Sequence, residues 1–379
     1  MKKTLLIFFA LIFSFSFLRA QEGGVRIAWD ANFDMHFDNR EFTGTGQAFM
    51  NSQTLFGARL TPALGIQYVQ KGGYVHRLMG GVDIFKEFGH NPDLESEGGT
   101  GLVDEITFWY RLNKKIGDTD FTMHAGIFPR RVMQTSWSEL FFSDSLLFYN
   151  PNLEGMLVSF ARPKGKYELG CDWIGRKGTR SRERFMLFSA GDSRVLDWLK
   201  LGYSAYMYHY AGSLSVRGVV DNILAEPYFE ADFAHWLPLQ KLSLTAGATC
   251  SFSRDRVAKV QHLRGGAELT AEVRKWNVGL RHRLFYGGDM MPLYACTDKA
   301  GYPYGNNLYH GNPLFRVRLD GSAPAACNST ELYYEPNLGG LVTLRCEVRA
   351  HFNGPFTGHQ ELVTLRFNID GLFSLKKQI

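Results

Sequence analysis

Apolar and polar residues alternate strictly along residues 26–38. Ile27 and Trp29 belong to the apolar set, and Asp30 and Asp34 belong to the polar set. A period of two predicts a β-strand with one apolar and one polar face. The run is about a dozen residues long, against about five or six in most soluble sheets, which is enough for a tilted strand to cross a bilayer.

The same alternation returns at residues 56–68, 105–112, 121–127, 342–352 and 363–369. In these segments one face is apolar while the other carries polar residues, with charges of both signs in several of them. A soluble sandwich would bury the apolar face against a second sheet. So many long strands with a charged opposite face instead favour lipid outside and water inside, and predict an all-β, transmembrane antiparallel β-barrel.

Short and long connections alternate between the predicted strands. Turns are predicted at residues 71–73, 163–165 and 274–275, whereas the longest irregular stretch covers residues 287–329. Short periplasmic turns and long extracellular loops are the arrangement of an outer-membrane barrel. About 16 strands are expected, within a range of about 14 to 18, because single-chain bacterial barrels have even numbers.

The N-terminus has the three parts of a secretory signal. Lys2 and Lys3 precede an apolar run at residues 5–15, and a small residue, Ala20, closes the segment. The apolar run is shorter than the roughly 20 residues of a spanning helix. We therefore predict a signal peptide at residues 1–20 and one outer-membrane domain at residues 21–379.

Charge and composition narrow the function classes. Without Lys2, Lys3 and Arg19 the basic residues number 42 − 3 = 39 against 37 acidic ones, a net of +2. This balance does not point to a nucleic-acid partner. Clustered His and Cys, CxxC pairs, and G-x-S-x-G, Walker or zinc signatures are absent, so neither a cofactor nor a metal site is expected.

The five cysteines divide into two groups. Cys171, Cys250 and Cys346 fall on the apolar phase of strands, where they are expected to be unpaired. Cys296 and Cys327 bracket the middle of the largest predicted loop. We predict a disulfide between these two, which export permits and which would contribute roughly 3–4 kcal/mol by closing a loop of about thirty residues.

Charged residues on the predicted inward phase are candidates for lining a pore. The predicted pore-lining set is Arg59, Arg77, Arg111, Arg281, Arg283, Arg345, Arg349, Asp30, Glu105 and Glu347. Arginine facing acid residues across a pore would orient anionic solutes, and the modest excess of Arg predicts a weak anion preference. The alternative is that these charges pair with one another and stiffen the wall.

Residues 137–149 form the best candidate for a constriction loop. The residues that carry this prediction are Trp137, Glu139, Phe141, Phe142, Asp144 and Phe148. A loop this rich in apolar residues would not be stable in contact with external water, which favours folding into the lumen. The alternatives are that it packs over the barrel mouth or belongs to a strand. Residues 302–309, rich in Tyr, Gly and Asn, are typical of an ordered external loop or of a carbohydrate-stacking surface.

Three stretches carry a resemblance to a known group. These are HRLMGG at residues 76–81, GIFPR at 126–130 and SDSLLFY at 143–149. On them the chain resembles the porin-type outer-membrane proteins of the Bacteroidetes group, which implies a barrel in the bacterial outer membrane but assigns no functional residue. One departure is that the chain ends on Lys376-Lys377-Gln378-Ile379 and not on an aromatic residue.

The main hypothesis from the sequence is a porin-like channel, without enzymatic activity, for passive diffusion of small hydrophilic solutes. Its expected partners are outer-membrane lipid, the solute and the barrel-assembly machinery, and it allows a homotrimer. One alternative is a non-conducting barrel that binds a surface partner or a glycan through its long loops. The second alternative is an outer-membrane hydrolase, for which no nucleophile and base stand at an identifying spacing.

Overall fold

The computed structural model describes residues 24–44, 46, 49–89, 103–179, 181–297, 304–317 and 323–369. The predicted signal peptide, residues 1–20, lies outside this part of the chain. Among the described residues, no helix is both long enough and apolar enough to cross a membrane.

Long antiparallel strands form almost the whole structure. In chain order they are β1 (Val25–Asp30), β2 (Asn32–Phe42), β3 (Gln53–Leu60), β4 (Ala63–Gln70), β5 (Tyr74–Glu87), β6 (Val103–Ile116), β7 (Thr119–Pro129), β8 (Asn152–Arg162), β9 (Gly165–Gly175), β10 (Arg184–Leu196), β11 (Leu199–Ala211), β12 (Val219–Asp232), β13 (Lys241–Asp255), β14 (Val260–Lys275), β15 (Val278–Gly287), β16 (Ala325–Tyr334), β17 (Val342–Phe352) and β18 (Phe356–Asn368). The helices are α1 (Asp144–Tyr149) and the short 3₁₀ segments η1 (Arg130–Val132), η2 (Ala234–Trp236), η3 (Gly305–Asn307) and η4 (Pro313–Arg316).

These strands close into a barrel of 16. β1 and β2 are one barrel strand interrupted at Ala31, and β3 and β4 are a second one interrupted at residues 61–62, so 18 segments give 18 − 2 = 16 strands. Pro62 has no N–H for the ladder, which accounts for the second break. Because β18 pairs with β2, from Gly358 opposite Phe42 to Asn368 opposite Asn32, the sheet closes on itself. The predicted fold and strand number are confirmed.

Every connection longer than eight residues lies at one end of the barrel, which identifies the other end as the periplasmic one. Turns fall at residues 71–73, as predicted, and at 163–164, since Gly165 of the predicted turn 163–165 already belongs to β9. The third turn consists of Trp276 and Asn277, with φ of 52° and 66°, and follows the last ladder pair, Lys275 with Val278. The sequence placed this turn two residues too early, since Arg274 and Lys275 still belong to β14.

The barrel has an apolar outer face and a filled interior. Large apolar side chains such as Ile106, Leu169 and Leu263 are exposed on the outside. Inside, wall residues pack against two long connections that fold into the lumen, one between β7 and β8 and one between β15 and β16. Phe141 and Phe315 are buried members of this single interior cluster. The hydrophobic core of the molecule therefore lies within the ring of strands.

Candidate active site

The connection between β7 and β8, residues 130–151, enters the barrel and is called here the first inserted segment. Its two ends are joined by a hydrogen bond from the Arg130 amide to the Pro151 carbonyl, at 2.6 Å. The Arg130 guanidinium binds Asp172 on β9 at 2.5 Å. Between them Trp137 packs edge-on against Phe141 and against Phe188 of the wall. The structure thus places the predicted constriction residues inside the barrel.

Glu139 connects this segment to the opposite wall. Its carboxylate binds Arg283 on β15 at 3.0 Å and Arg349 on β17 at 3.1 Å. It also accepts a hydrogen bond from the side-chain amide of Asn312 at 2.9 Å. Burial would raise the pKa of Glu139, but the two guanidinium groups outweigh it and hold that pKa well below its usual value. Glu139 is therefore ionised.

The connection between β15 and β16 supplies a second inserted segment, residues 288–317 as far as described. It runs alongside the first. The backbone amide of Asn312 donates to the backbone carbonyl of Glu139 at 2.8 Å, and the backbone amide of Ser143 donates to the backbone carbonyl of His310 at 2.9 Å. Tyr304 and Tyr309 are buried in the interior cluster. The prediction that residues 302–309 form an external loop or a carbohydrate-stacking surface is therefore wrong for these two aromatic residues.

His310 lies at the contact between the two segments. Its ring packs edge-on against Tyr208 at a centroid distance of 5.1 Å. Burial, together with the nearby Arg130 and Arg184, lowers the pKa of His310 to about 3. The ring is therefore neutral at physiological pH and adds no positive charge to the site.

A cavity of about 580 Å³ opens between helix α1 and the inner wall. Ser143 caps the helix, accepting a hydrogen bond from the Leu146 amide at 3.3 Å. The side chains of the wall come from β2, β3, β17 and β18, near the end of the barrel at which the long connections lie. The polar lining residues are Asp38, Arg40, Asn51, Gln53, Glu139, Ser143, Asp144, Ser145, Asn150, His310, Asn312, Arg349 and Gln360.

Three carboxylates line the cavity, and they differ in the number of their polar partners and in their exposure to solvent. Both oxygens of Asp38 are occupied, by the Gln360 amide at 3.0 Å and by Arg40 at 2.7 Å. Glu139 has the three partners given above. Asp144, at the start of α1, contacts Arg349 at 2.7 Å and keeps 39% of its side chain exposed. Asp144 is therefore the most accessible carboxylate of the cavity.

Arg40 joins the wall to the helix. Its guanidinium is fixed on Asp38 and also donates to the Ser145 hydroxyl in the first turn of α1. The N–H groups of a fixed guanidinium can hold an anion or a developing oxyanion. Within the described part of the chain no three His, Cys, Asp or Glu side chains come together as a metal site requires.

The ten residues predicted to line a pore lie on the inner face, where most of them have polar partners. Arg59 binds Asp83 at 2.7 Å, and Glu347 binds both Arg345 at 2.6 Å and Arg349 at 2.5 Å. The remaining contacts of the set are Arg77 with Gln67, Arg281 with Glu272 and Glu331, Arg283 with Glu139 and Glu268, Asp30 with Arg131, and Glu105 with Asn152; Arg111 lies opposite Arg77 in the ladder. The arginine excess is thus largely compensated within the wall.

The predicted disulfide is wrong. Cys296 and Cys327 are free thiols, as are Cys171, Cys250 and Cys346. Cys327 lies on β16 opposite Phe285 and is buried, whereas Cys296 belongs to the second inserted segment, near Tyr304. The sequence suggested the bond because both residues bracket a loop, but the loop folds inward and does not bring them together.

Comparison with known proteins identifies the family. A model of the lipid A 3'-O-deacylase-type family matches residues 21–226, which is 206 of the 379 residues. The chain belongs to this family. The predictions of a passive porin and of a protein without enzymatic activity are therefore wrong, because the lipid A 3'-O-deacylase-type family is described by an enzymatic activity and not by a channel. No curated protein matches the chain.

Solved structures confirm the architecture. A loop-deletion mutant of OmpT, an outer-membrane protein of Vibrio cholerae, is similar with a TM-score of 0.52 at 9% identity, over 90% of this chain and 99% of that one. OmpT of Vibrio cholerae expressed in the outer membrane gives a TM-score of 0.51 at 8% identity, over 92% and 99%. At this identity the likeness concerns the fold alone. Together with the lipid A 3'-O-deacylase-type family, it locates the protein in the bacterial outer membrane, as predicted.

Several residues of the cavity are not among the site residues predicted from the sequence. Arg40 and Gln360 were not singled out, although Arg40 continues the inward phase of Asp38 by one further step of two. Extending the alternation along β2 would have found it. Ser145 and Asn312 lie on inserted segments without a strand period, so only their three-dimensional contacts bring them to the site.

Proposed function

We propose that this protein is an outer-membrane hydrolase that removes an ester-linked acyl chain from lipid A, at the cavity between α1 and the inner wall. The observation that carries the proposal is that the matched family segment, residues 21–226, includes both β2 and α1. These two elements supply Arg40, Asp144 and Ser145, which line the cavity.

Ester hydrolysis needs a base for water and a donor for the oxyanion. Asp144, the most accessible carboxylate, takes the proton of a water whose oxygen attacks the ester carbonyl carbon. Arg40 donates to the oxygen on which negative charge develops. When the carbon–oxygen bond breaks, Asp144 returns this proton to the sugar oxygen, and a fatty acid and a sugar hydroxyl leave.

The surroundings of these groups suit an amphipathic substrate. Phe49, Met50, Leu146 and Leu362 line the same cavity and offer apolar contacts for an acyl chain. The cavity lies at the end of the barrel with the long connections, the extracellular end. In the outer membrane this is the side on which lipid A resides.

The decisive experiment measures acyl release by the purified full-length protein from lipid A in detergent micelles, with mass spectrometry of the products. Asp144→Asn removes the base, and we expect its initial rate to fall at least about 100-fold, the range of general-base contributions. Folding of each variant is checked by its shift in electrophoretic mobility on heating.

Asp104→Asn is the matched control. Asp104 also contacts one arginine, Arg59 at 2.8 Å, and its side chain is 45% exposed, but it does not line the cavity. We expect it to keep the wild-type rate. Absence of acyl release by the wild-type protein, or equal losses in the two variants, would rule out the proposed site.

A further inference from the structure

One sector of the extracellular rim is strongly basic. Six exposed cations lie on or beside three connections that follow one another round the barrel. They are Arg176 and Lys177 between β9 and β10, Arg217 between β11 and β12, and Arg254, Arg256 and Lys259 at the connection from β13 to β14. We call these six residues the basic rim.

The connections that carry the basic rim are tied to one another. The Leu214 amide donates to the Gly178 carbonyl at 2.8 Å, and the Ser215 hydroxyl donates to the Thr179 carbonyl at 2.6 Å. These bonds fix the connection that bears Arg217 against the one that bears Arg176 and Lys177. The Arg256 amide donates to the Val219 carbonyl at 2.9 Å and joins the connection from β13 to β14 to the start of β12. The three connections are therefore joined along one side of the rim.

Most of this positive charge is not compensated locally. Arg256 binds Asp221 at 2.7 Å. For Lys177, Arg217 and Lys259, the described residues provide no side-chain hydrogen bond or ion pair. Three exposed cations on neighbouring connections, with no acidic partner among the described residues, favour an external anion.

Elsewhere the described rim has Lys86 as an exposed cation at the end of β5, but acidic groups outnumber it. Glu41, Asp104 and Glu361 are acidic groups at the extracellular ends of β2, β6 and β18, and each is at least partly exposed. An anion that approaches the barrel from outside is therefore attracted most strongly to the sector of the basic rim. Non-specific attraction by the net charge of the protein would have no such direction.

The position of the basic rim identifies the anion. Directly below it the outer face of the barrel is apolar, with exposed Trp173, Leu187 and Leu263 within a few residues of the ends of β9, β10 and β14. In an outer membrane this apolar face meets acyl chains, so the cations above it lie at the level of the headgroups. We infer that the basic rim binds the phosphate groups of outer-leaflet lipopolysaccharide.

This binding surface is separate from the proposed active site. The cavity is bounded by β2, β3, β17 and β18, whereas the basic rim belongs to the strands from β9 to β14 on another side of the ring. The inference uses the location in the outer membrane and not the proposed hydrolysis. Binding and acyl release can therefore fail independently.

The test measures the affinity of the purified full-length protein, in a non-ionic detergent, for lipid A that carries its phosphates and for the same lipid after dephosphorylation. The variant Lys177→Gln, Arg217→Gln, Lys259→Gln removes the three unpaired cations. Each basic residue near an anionic lipid surface contributes roughly fivefold, so we expect Kd for phosphorylated lipid A to rise at least about tenfold. Added salt should weaken wild-type binding more than binding by the variant.

The matched control carries Lys71→Gln, Lys164→Gln and Lys275→Gln at the periplasmic end of the barrel. It has the same change in net charge at the opposite end of the barrel, and we expect Kd to stay within about twofold of wild type, since charges farther away than the Debye length are screened. Equal weakening in both triple variants would overturn the inference. So would equal affinity for dephosphorylated lipid A, or full displacement by millimolar inorganic phosphate, which would identify a site for a soluble anion only.

Discussion

Glu139 accepts hydrogen bonds or ion pairs from three separate elements. Arg283 and Arg349 come from two strands of the wall, and Asn312 comes from the second inserted segment. A buried carboxylate loses its hydration, and this cost is offset only while its partners remain in place. The two arginines are also largely removed from water, and Glu139 supplies part of the negative charge that compensates them.

We predict that Glu139→Gln lowers the free energy of unfolding by about 3 kcal/mol, because it leaves Arg283 and Arg349 with less compensating charge in the interior. The measurement is a urea titration of the protein in detergent micelles.

Asp34→Asn is the control for this substitution. It removes a carboxylate whose partner, Arg366, is 59% exposed, and surface pairs of this kind are worth less than about 1 kcal/mol. If Glu139→Gln proved no more destabilising than Asp34→Asn, Glu139 would not be anchoring the segment.

The sequence could identify such charges but not their partners. Arg283 and Arg349 were predicted to face inward from the period of their strands, and Glu139 was recognised as a charge within an apolar segment. Their contacts join residues that are 144 and 210 positions apart (283 − 139 and 349 − 139). A local pattern contains no information on which of several inward arginines a carboxylate will meet.

At the scale of elements, the two inserted segments touch through their backbones at Gly311. A Cβ atom at this position would collide with the carbonyl oxygen of Leu140 in the first inserted segment. Glycine is thus required for the close approach that lets the Asn312 amide reach the Glu139 carbonyl at 2.8 Å.

We predict that Gly311→Ala separates the two segments, lowers the free energy of unfolding by about 1–3 kcal/mol and speeds proteolytic cleavage within residues 130–151. Limited proteolysis of the folded protein, with the sites read by mass spectrometry, provides the check. Gly80→Ala, on β5, is the control because its added Cβ meets no atom within 4 Å. Identical cleavage of both variants would contradict a close backbone contact at Gly311.

Elements with a regular period were predictable, and elements without one were only partly so. The alternation in residues 26–38 predicted β1 and β2 but not the interruption at Ala31, because the side chains keep their phase across it. The apolar character of residues 137–149 suggested insertion into the lumen. The second inserted segment also contains large aromatic residues, Tyr304, Tyr309 and Phe315, which favour burial in the lumen. Its glycine and asparagine content, however, is typical of an external loop.

At the scale of the whole molecule, the interior cluster replaces the wet lumen that a porin needs. Residues from both inserted segments and from the wall, among them Phe141, Tyr208 and Phe285, pack into one core. We predict that the purified protein gives no stable nanosiemens-scale steps in a planar bilayer. Recordings of known amounts of folded protein, with a general porin as the positive control, test this; reproducible steps of that size would mean that the segments leave the lumen.

The connection of Glu139 to the far wall also has a mechanical consequence. The first inserted segment starts from β7 and β8, and Arg283 and Arg349 lie on β15 and β17, roughly half the circumference away. A hollow ring of 16 strands is flattened easily, since only contacts between neighbouring strands resist a change of its cross-section. The first inserted segment is fixed to both walls and keeps them at a constant separation. Lateral pressure from the bilayer is therefore resisted by contacts across the diameter as well as by contacts between neighbouring strands.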